Sequence, residues 1–325
     1  MFAYIIRRIL YAIPILIGVN VITFLLFFVV NSPDDMARMH LGVKRVTPEA
    51  IATWKKEHGY DKPLFWNAAA DGPKKLIDTL FVSESLKLFK FDFGMADDGR
   101  DISSDIKQRM WPSLAIAVPV LIIGLLTNIF ISMLMVFFRG SILDTSGIVI
   151  SVILMSISGL FYIIAGQYLV SKIMHLVPIS GFSPGFASIS FLILPVVIGV
   201  ISGIGTGSRW YRTLFLEEVH KEYVRTARAK GLSEMKVLFK HVLRNALIPI
   251  LTGVVVVLPS LFLGSLITES FFGIPGLGSY TIDAISSQDF AIVRAMVFLG
   301  AVLYILGLLL TDISYTIVDP RVRLS

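Results

Sequence analysis

The chain has 325 residues, 55% of them hydrophobic and only 16% charged, and a formal net charge of +6. A charged fraction so far below the roughly 25% of soluble domains excludes an ordinary soluble fold and points to a membrane protein. The absence of cysteine excludes disulfides, thiolate metal sites and cysteine nucleophiles.

A membrane-spanning helix needs about 20 predominantly apolar residues. Six windows free of Asp, Glu, Lys, Arg and His meet or approach that length: residues 9–30, 112–137, 147–171, 188–207, 246–268 and 295–311. Residues 313–318 extend the last one past Asp312. Prolines 14, 119, 195 and 259 fall inside these windows, which membrane helices tolerate because neighbours satisfy the freed backbone groups. The first run is 22 residues long. That exceeds a signal-peptide core of about 7–15, and no small-x-small cleavage site follows, so it reads as an uncleaved anchor. The expected fold class is an all-α membrane protein with six transmembrane helices.

Lys/Arg bias orients the spans. Arg7 and Arg8 place the N-terminus in the cytoplasm. Arg139, the loop 207–245 with 9 Lys+Arg against 4 Asp+Glu, and Arg321 and Arg323 fall on the same side. Residues 31–111 carry 13 Lys+Arg and 13 Asp+Glu and are expected outside. So is the loop after the fifth span, with Glu269, Asp283 and Asp289. The expected organisation is thus residues 1–30, N-terminus and first span; 31–111, an external segment; and 112–325, a core of spans 2–6. That core includes a cytoplasmic loop 208–245 and an external loop 269–291.

The spans contain no ionisable residue, unlike most ion-coupled carriers. Ser and Thr there read as packing groups. Asn128 and Gln167 are costlier to bury and are the candidates for lining a pathway. "GIGTG", residues 203–207, reads as a helix terminus rather than a phosphate loop. No H-E-x-x-H, G-x-S-x-G or P-loop occurs, and no histidine pair has metal-ligand spacing. Neither a catalytic residue, a metal nor a bound cofactor is expected. Any active transport must draw its energy from another chain.

Residues 214–230 read as one helix. Phe215, Val219, Tyr223 and Ala227 recur four apart, while Glu217, Glu218, Lys221, Glu222, Arg225 and Arg228 occupy other faces. Glu218–Lys221 and Glu222–Arg225 are opposite-charge pairs at i,i+3. Gly231 is placed to end the helix in the left-handed conformation. Ser233 is a natural N-cap for a second helix with Met235, Leu238, Phe239 and Val242 on one face. Anionic lipid and a partner protein both fit such a basic helix–glycine–helix unit. Nucleic acid fits poorly, since no fold that binds it is recognisable. Farther on, "ESFFGIPGLG", residues 269–278, is turn-rich, cannot continue a span and reads as a loop.

Residues 222–250, "EYVRTARAKGLSEMKVLFKHVLRNALIPI", resemble the cytoplasmic loop of membrane permeases of ATP-binding cassette importers, in the dipeptide, oligopeptide and nickel class. In that superfamily the loop forms a coupling helix, the EAA motif, seated in a groove of the ATPase subunit. The Glu-Ala-Ala start corresponds here to Arg225, Thr226 and Ala227, and the glycine is kept as Gly231. The resemblance implies that Glu222, Tyr223, Arg225, Thr226, Ala227, Arg228, Ala229, Lys230, Gly231, Leu232 and Ser233 carry the ATPase contact. "YIIRRILYAIPILIGVNVITF", "HGYDKPLFWN", "LVPISGF", "ITESFFGIPGLGSYTIDAISSQDF" and "DISYTIVDPRVR" extend the resemblance along most of the chain. The long external segment after the first span matches the B-type subunit, whereas "NSPDDMA" and residues 66–90 depart from the pattern.

The resemblance implies a type I importer fold in a bacterial inner membrane, with a C-type permease as second pore half. It also implies two cytoplasmic ATPase subunits that hold ATP and magnesium, and an external binding protein. In the family the 269–278 segment lies toward the translocation path. This makes Glu269, Phe271, Phe272, Pro275, Gly276 and Gly278 gate candidates, with Glu269 able to meet a cationic substrate group. The cargo is expected to be a peptide, the alternatives being nickel, another small solute, or an ATP-independent channel.

Overall fold

A computed structural model of the chain describes residues 2–42 and 46–318. Arg321 and Arg323 lie outside the described residues. Within them the backbone is helical apart from loops and one isolated bridge, Met95 with Asp101. Five helices are long and apolar enough to cross a membrane: Leu10–Val30, Ile102–Phe137, Gly185–Val219, Glu234–Leu263 and Phe290–Ser314.

The third expected span is different. Ile142–Ser156 and Gly159–Ile173 are two helices bent by 88°. The break falls at Ile157 and Ser158, which take extended backbone, and the Ser158 hydroxyl caps the second helix by accepting from the Phe161 amide. Such a cap offers the backbone an alternative to helix continuation. Residues 147–171 are therefore not one straight span.

Three other limits move. The second span begins at Ile102, so its first turns carry Asp105, Lys107 and Arg109. The fourth continues through 203–207 to Val219, so "GIGTG" is not a helix terminus. A Cβ on Gly205 would lie 2.5 Å from the Ser151 carbonyl oxygen, and one on Gly207 would lie 2.5 Å from the Asn128 amide. Gly205 lets this helix close on Ile142–Ser156, with the Ser151 and Ser208 hydroxyls 3.0 Å apart across the contact, and Gly207 lets it close on Ile102–Phe137, the small-residue packing of membrane helices. The fifth span ends at Leu263, because Gly264 turns the chain with φ 70°. Thr268 belongs to the next helix.

The chain forms two units: Met1–Gln108 with Asp283–Ile305, and Arg109–Ile282 with Leu306–Ser325. In the first, Ser32 and Asp35 form a reciprocal capping box with Pro33 at the first helical position, which fixes where Pro33–Leu41 starts. Phe24, Phe28, Met36, Trp54 and Leu80 make its core. Beside Phe28 lies an ion pair, Arg294 Nη2 to Glu84 Oε2 at 2.5 Å, with side chains 7% and 4% exposed. The guanidinium also lies 5.1 Å over the Phe28 ring. The second unit has one core around Phe215, Val224, Val237 and Ala246 and another around Ile163, Leu194, Phe272 and Ile274.

Candidate functional site

The basic loop is built from α1 (Ser188–Val219), α2 (Glu222–Ala229) and the helical stretch that opens at Glu234. The sequence pattern predicts a single helix over 214–230, but the chain breaks at His220 and Lys221. Lys221 is extended, with φ −71° and ψ 149°. His220 Nδ1 contacts the Leu216 carbonyl and its Nε2 meets Arg139 at 3.2 Å. The break shifts the register by one residue. Val224 turns inward and is fully buried, beside Phe215, Val219 and Ala227, while Tyr223 is 36% exposed. Tyr223 donates its hydroxyl to Glu218, so the expected Glu218–Lys221 pair gives way to a phenol–carboxylate contact. Burial first, and then the hydrogen bond to Glu218 and its charge, push the Tyr223 phenol up to about 12, so it stays a donor. Glu222 and Arg225 do pair, at 2.8 Å, with both side chains well exposed.

Gly231 closes α2 with φ 75°, and its amide donates to the Arg228 carbonyl at 2.9 Å. No atom lies within 4 Å of a Cβ built there, so the conformation, not crowding, calls for glycine. Ser233 occupies the N-cap position, but its hydroxyl makes no cap bond. The turn is held instead by Arg228, whose Nε and Nη2 donate to Glu234 at 3.0 and 2.5 Å. The following helix runs into the fifth span through a π-helical stretch, Val237–Val242. That wider winding again moves the register: Val237, Leu238 and Val242 are buried, whereas Met235 and Phe239, expected on the inner face, are about half exposed. Among the candidate contact residues Ala227 is buried and Leu232 half-buried; both anchor the unit. Glu222, Tyr223, Arg225, Thr226, Arg228, Ala229, Lys230, Gly231 and Ser233 are on the outside.

The second site is the 269–278 segment. It is not an open loop. Ser265 caps α3 (Leu266–Phe272), which Gly273 ends with φ 62°; after a tight turn, α4 (Leu277–Ser287) begins. Glu269 is 1% exposed. Its Oε1 accepts from the Ser265 amide at 3.1 Å, and its Oε2 accepts from the Gly278 and Ser279 amides at 2.7 and 3.2 Å. The carboxylate thus sits at the N-terminus of α4, where amides and helix dipole favour an anion. Burial nonetheless pushes its carboxyl above the ordinary value, opposed by the Ser113 hydroxyl and these amides. Gly276 and Gly278 are glycines for a spatial reason. A Cβ on Gly276 would lie 2.2 Å from Glu269 Oε2, and one on Gly278 would lie 2.5 Å from the Ser265 carbonyl carbon.

Ser113 is fully buried and accepts from the Leu277 amide at 2.8 Å. Sequence reading gave it no role, since a serine at the head of a span carries no signal. Phe272 is buried, whereas Phe271 and Pro275 are exposed. A cavity of about 390 Å³ opens beside this knot, lined by Ser113, Val120, Gly199, Ser202, Ser260 and Glu269 among others. Asn128 and Gln167 are not part of its lining. Asn128 packs on Gly207, and Gln167 Nε2 donates to the Ile179 and Phe271 carbonyls, each at 3.0 Å.

An all-α chain with this set of spans is of the class of multi-pass membrane proteins. The comparisons define it further. Residues 128–324 match the family described as binding-protein-dependent transport system inner membrane component, and residues 1–70 match the N-terminal family of the same membrane components. The chain belongs to this family. It is 30% identical over 352 residues to the dipeptide transport system permease protein DppB of Escherichia coli (strain K12), covering 99% of each chain. It is 29% identical over 331 residues to the oligopeptide transport system permease protein AppB of Bacillus subtilis (strain 168), covering 99% of this chain and 100% of that one. It is an inner-membrane, multi-pass permease subunit of an ATP-binding cassette importer.

Proposed function

We propose that the chain is the B-type half of a heterodimeric peptide importer, with a C-type permease forming the other half of the pore. The names of its full-length relatives support a peptide cargo. Two cytoplasmic ATPase subunits, which hold the ATP and magnesium, bind the cytoplasmic loops of the two halves, one of them on the α2 turn of this chain. An external binding protein delivers the peptide, and the chain itself catalyses nothing. The observation that carries the docking role is the construction of the turn. Val224 and Ala227 root it in the core beneath, Arg228 and Glu234 staple it, and Thr226, Arg228, Lys230 and Ser233 are left outside. A rooted, rigid, cationic knuckle transmits a push, which a lipid-adsorbed basic loop does not need to do. Closing of the ATPases moves this knuckle and, with it, the span that starts at Glu234. Coupling requires only that the partners bind the two states with different affinity. On the other side, the 269–278 turn borders the path and guides the peptide, while the buried Glu269 holds the shape of the turn rather than meeting the cargo.

Gly231→Val tests the docking role in the reconstituted transporter with all five subunits present. A β-branched residue is strained at φ 75°, so the turn deforms while Val224 and Ala227 keep the fold. The expected result is normal insertion and assembly, ATP hydrolysis retained, and peptide uptake lost. Uptake at the normal rate per ATP would overturn the assignment.

A further inference from the structure

The close approach of Ile142–Ser156 to α1 leaves a groove of about 450 Å³ on their flank, lined by Ile148, Met155, Thr206, Arg209, Trp210, Arg212 and Thr213. The two arginines in it are not equivalent. Arg212 is neutralised: its Nε and Nη2 donate to the two Asp144 oxygens, each at 2.8 Å. Arg209 has no carboxylate partner among the described residues. Its Nη1 rests 3.2 Å from the Met155 sulfur, a weak acceptor that cannot balance a charge. The groove therefore holds one uncompensated guanidinium against an apolar wall.

Its position along α1 says what kind of anion belongs there. The uncharged run of the fourth span ends at Ser208, and Arg209 is the first charged residue after it. Trp210, next to it, is 60% exposed. An exposed tryptophan beside an arginine at the end of an apolar run marks the headgroup level of a bilayer. On the cytoplasmic side, basic pockets between membrane helices suit acidic headgroups, and a guanidinium fork matches phosphate oxygens.

We infer that this groove binds one anionic phospholipid, its phosphate on Arg209 and its acyl chain along Ile148 and Met155. Thr206, exposed, supplies a hydroxyl beside the phosphate, whereas the Thr213 hydroxyl is committed to the Arg209 carbonyl at 3.1 Å. Trp210 covers the glycerol region. The site is separate from the α2 turn and rests on the chain's being membrane-embedded, not on its docking or cargo.

The test is native mass spectrometry of the assembled transporter in detergent, supplied with phosphatidylglycerol or phosphatidylcholine at equal concentration. Phosphatidylglycerol should be retained by the wild type and phosphatidylcholine should not. Arg209→Gln should weaken retention roughly fivefold, the effect of one interfacial cation, and Arg209→Lys should keep part of it. Arg7→Gln, which removes an exposed cation elsewhere on the cytoplasmic side, should change nothing. Equal retention of both lipids by the wild type overturns the inference, and so does undiminished phosphatidylglycerol retention in Arg209→Gln. The wild-type comparison decides alone if the Arg209→Gln complex does not assemble.

Discussion

Two arginine–glutamate pairs of this chain have nearly the same geometry and opposite surroundings. Arg294 and Glu84 meet at 2.5 Å with side chains 7% and 4% exposed, while Arg228 and Glu234 meet at 2.5 Å with 38% and 44% exposed. The first joins residues 210 positions apart, the second residues six apart. Removing two charges from water is costly, and their attraction offsets that cost only while both partners are present. The buried pair is thus a condition of the fold of the unit that contains it. The exposed pair contributes little energy and mainly sets the shape of a short turn. Charges of one kind hold the molecule together where they are hidden and shape a partner surface where they are not.

The comparison breaks most visibly at the buried pair. Glu84→Gln leaves a charged guanidinium without its counter-ion, and the expected loss is about 3–5 kcal/mol, read as a large fall in thermal stability in detergent. Adding Arg294→Met should recover part of it, since residues in contact are not additive. The pH dependence has a definite sign. Burial pushes the Glu84 carboxyl up, but Arg294 and Lys87 outweigh it and hold it below its ordinary value. Its contribution is therefore fully present above the unfolded carboxyl value and is lost as pH falls through the lowered one.

A neutral change in the knot around Glu269 should cost less. Gly276→Ala puts a methyl where Glu269 Oε2 and the Ser113 hydroxyl already are, 2.2 and 2.5 Å from the new carbon. Overpacking of this kind costs about 1–3 kcal/mol, and the carboxylate should lose its amide contacts. Hydrogen exchange at the Gly278 and Ser279 amides reads this directly. Protection equal to the wild type would mean that the knot yields without breaking.

These sites were unequally legible. The spans could be read because uninterrupted apolar runs have few other uses. The bend at Ser158 could not, because uncharged Ser and Gly inside an apolar run equally mark helix packing and only the capping bond distinguishes them. Gly231 was readable, as a glycine that ends an amphipathic stretch. The faces on either side of it were misread, at Tyr223 and at Met235 and Phe239. The break at Lys221 and the π-helical Val237–Val242 each shift the register, and a constant period of 3.6 contains neither. Gly205 was misread because glycine near the end of an apolar run signals a terminus in soluble helices but close packing in membrane ones. Arg294 and Glu84 carry no local signal. Nothing within a few residues of either shows that the other, two hundred residues away, will neutralise it.

The smallest expected effect on the fold falls at the exposed pair, and there the two roles of charge separate. Arg228→Gln removes the fork to Glu234 and should cost no more than about 1 kcal/mol, because both side chains reach water and Val224 and Ala227 still root the turn. Uptake per ATP hydrolysed in proteoliposomes should nevertheless fall, since the knuckle loses its staple. Exchanging the charges, Arg228→Glu with Glu234→Arg, distinguishes two causes. Recovery of uptake means that the staple's geometry matters. Continued loss means that the Arg228 cation itself meets the ATPase. A stability loss as large as that of Glu84→Gln would instead make this pair structural and remove the contrast between the two regions.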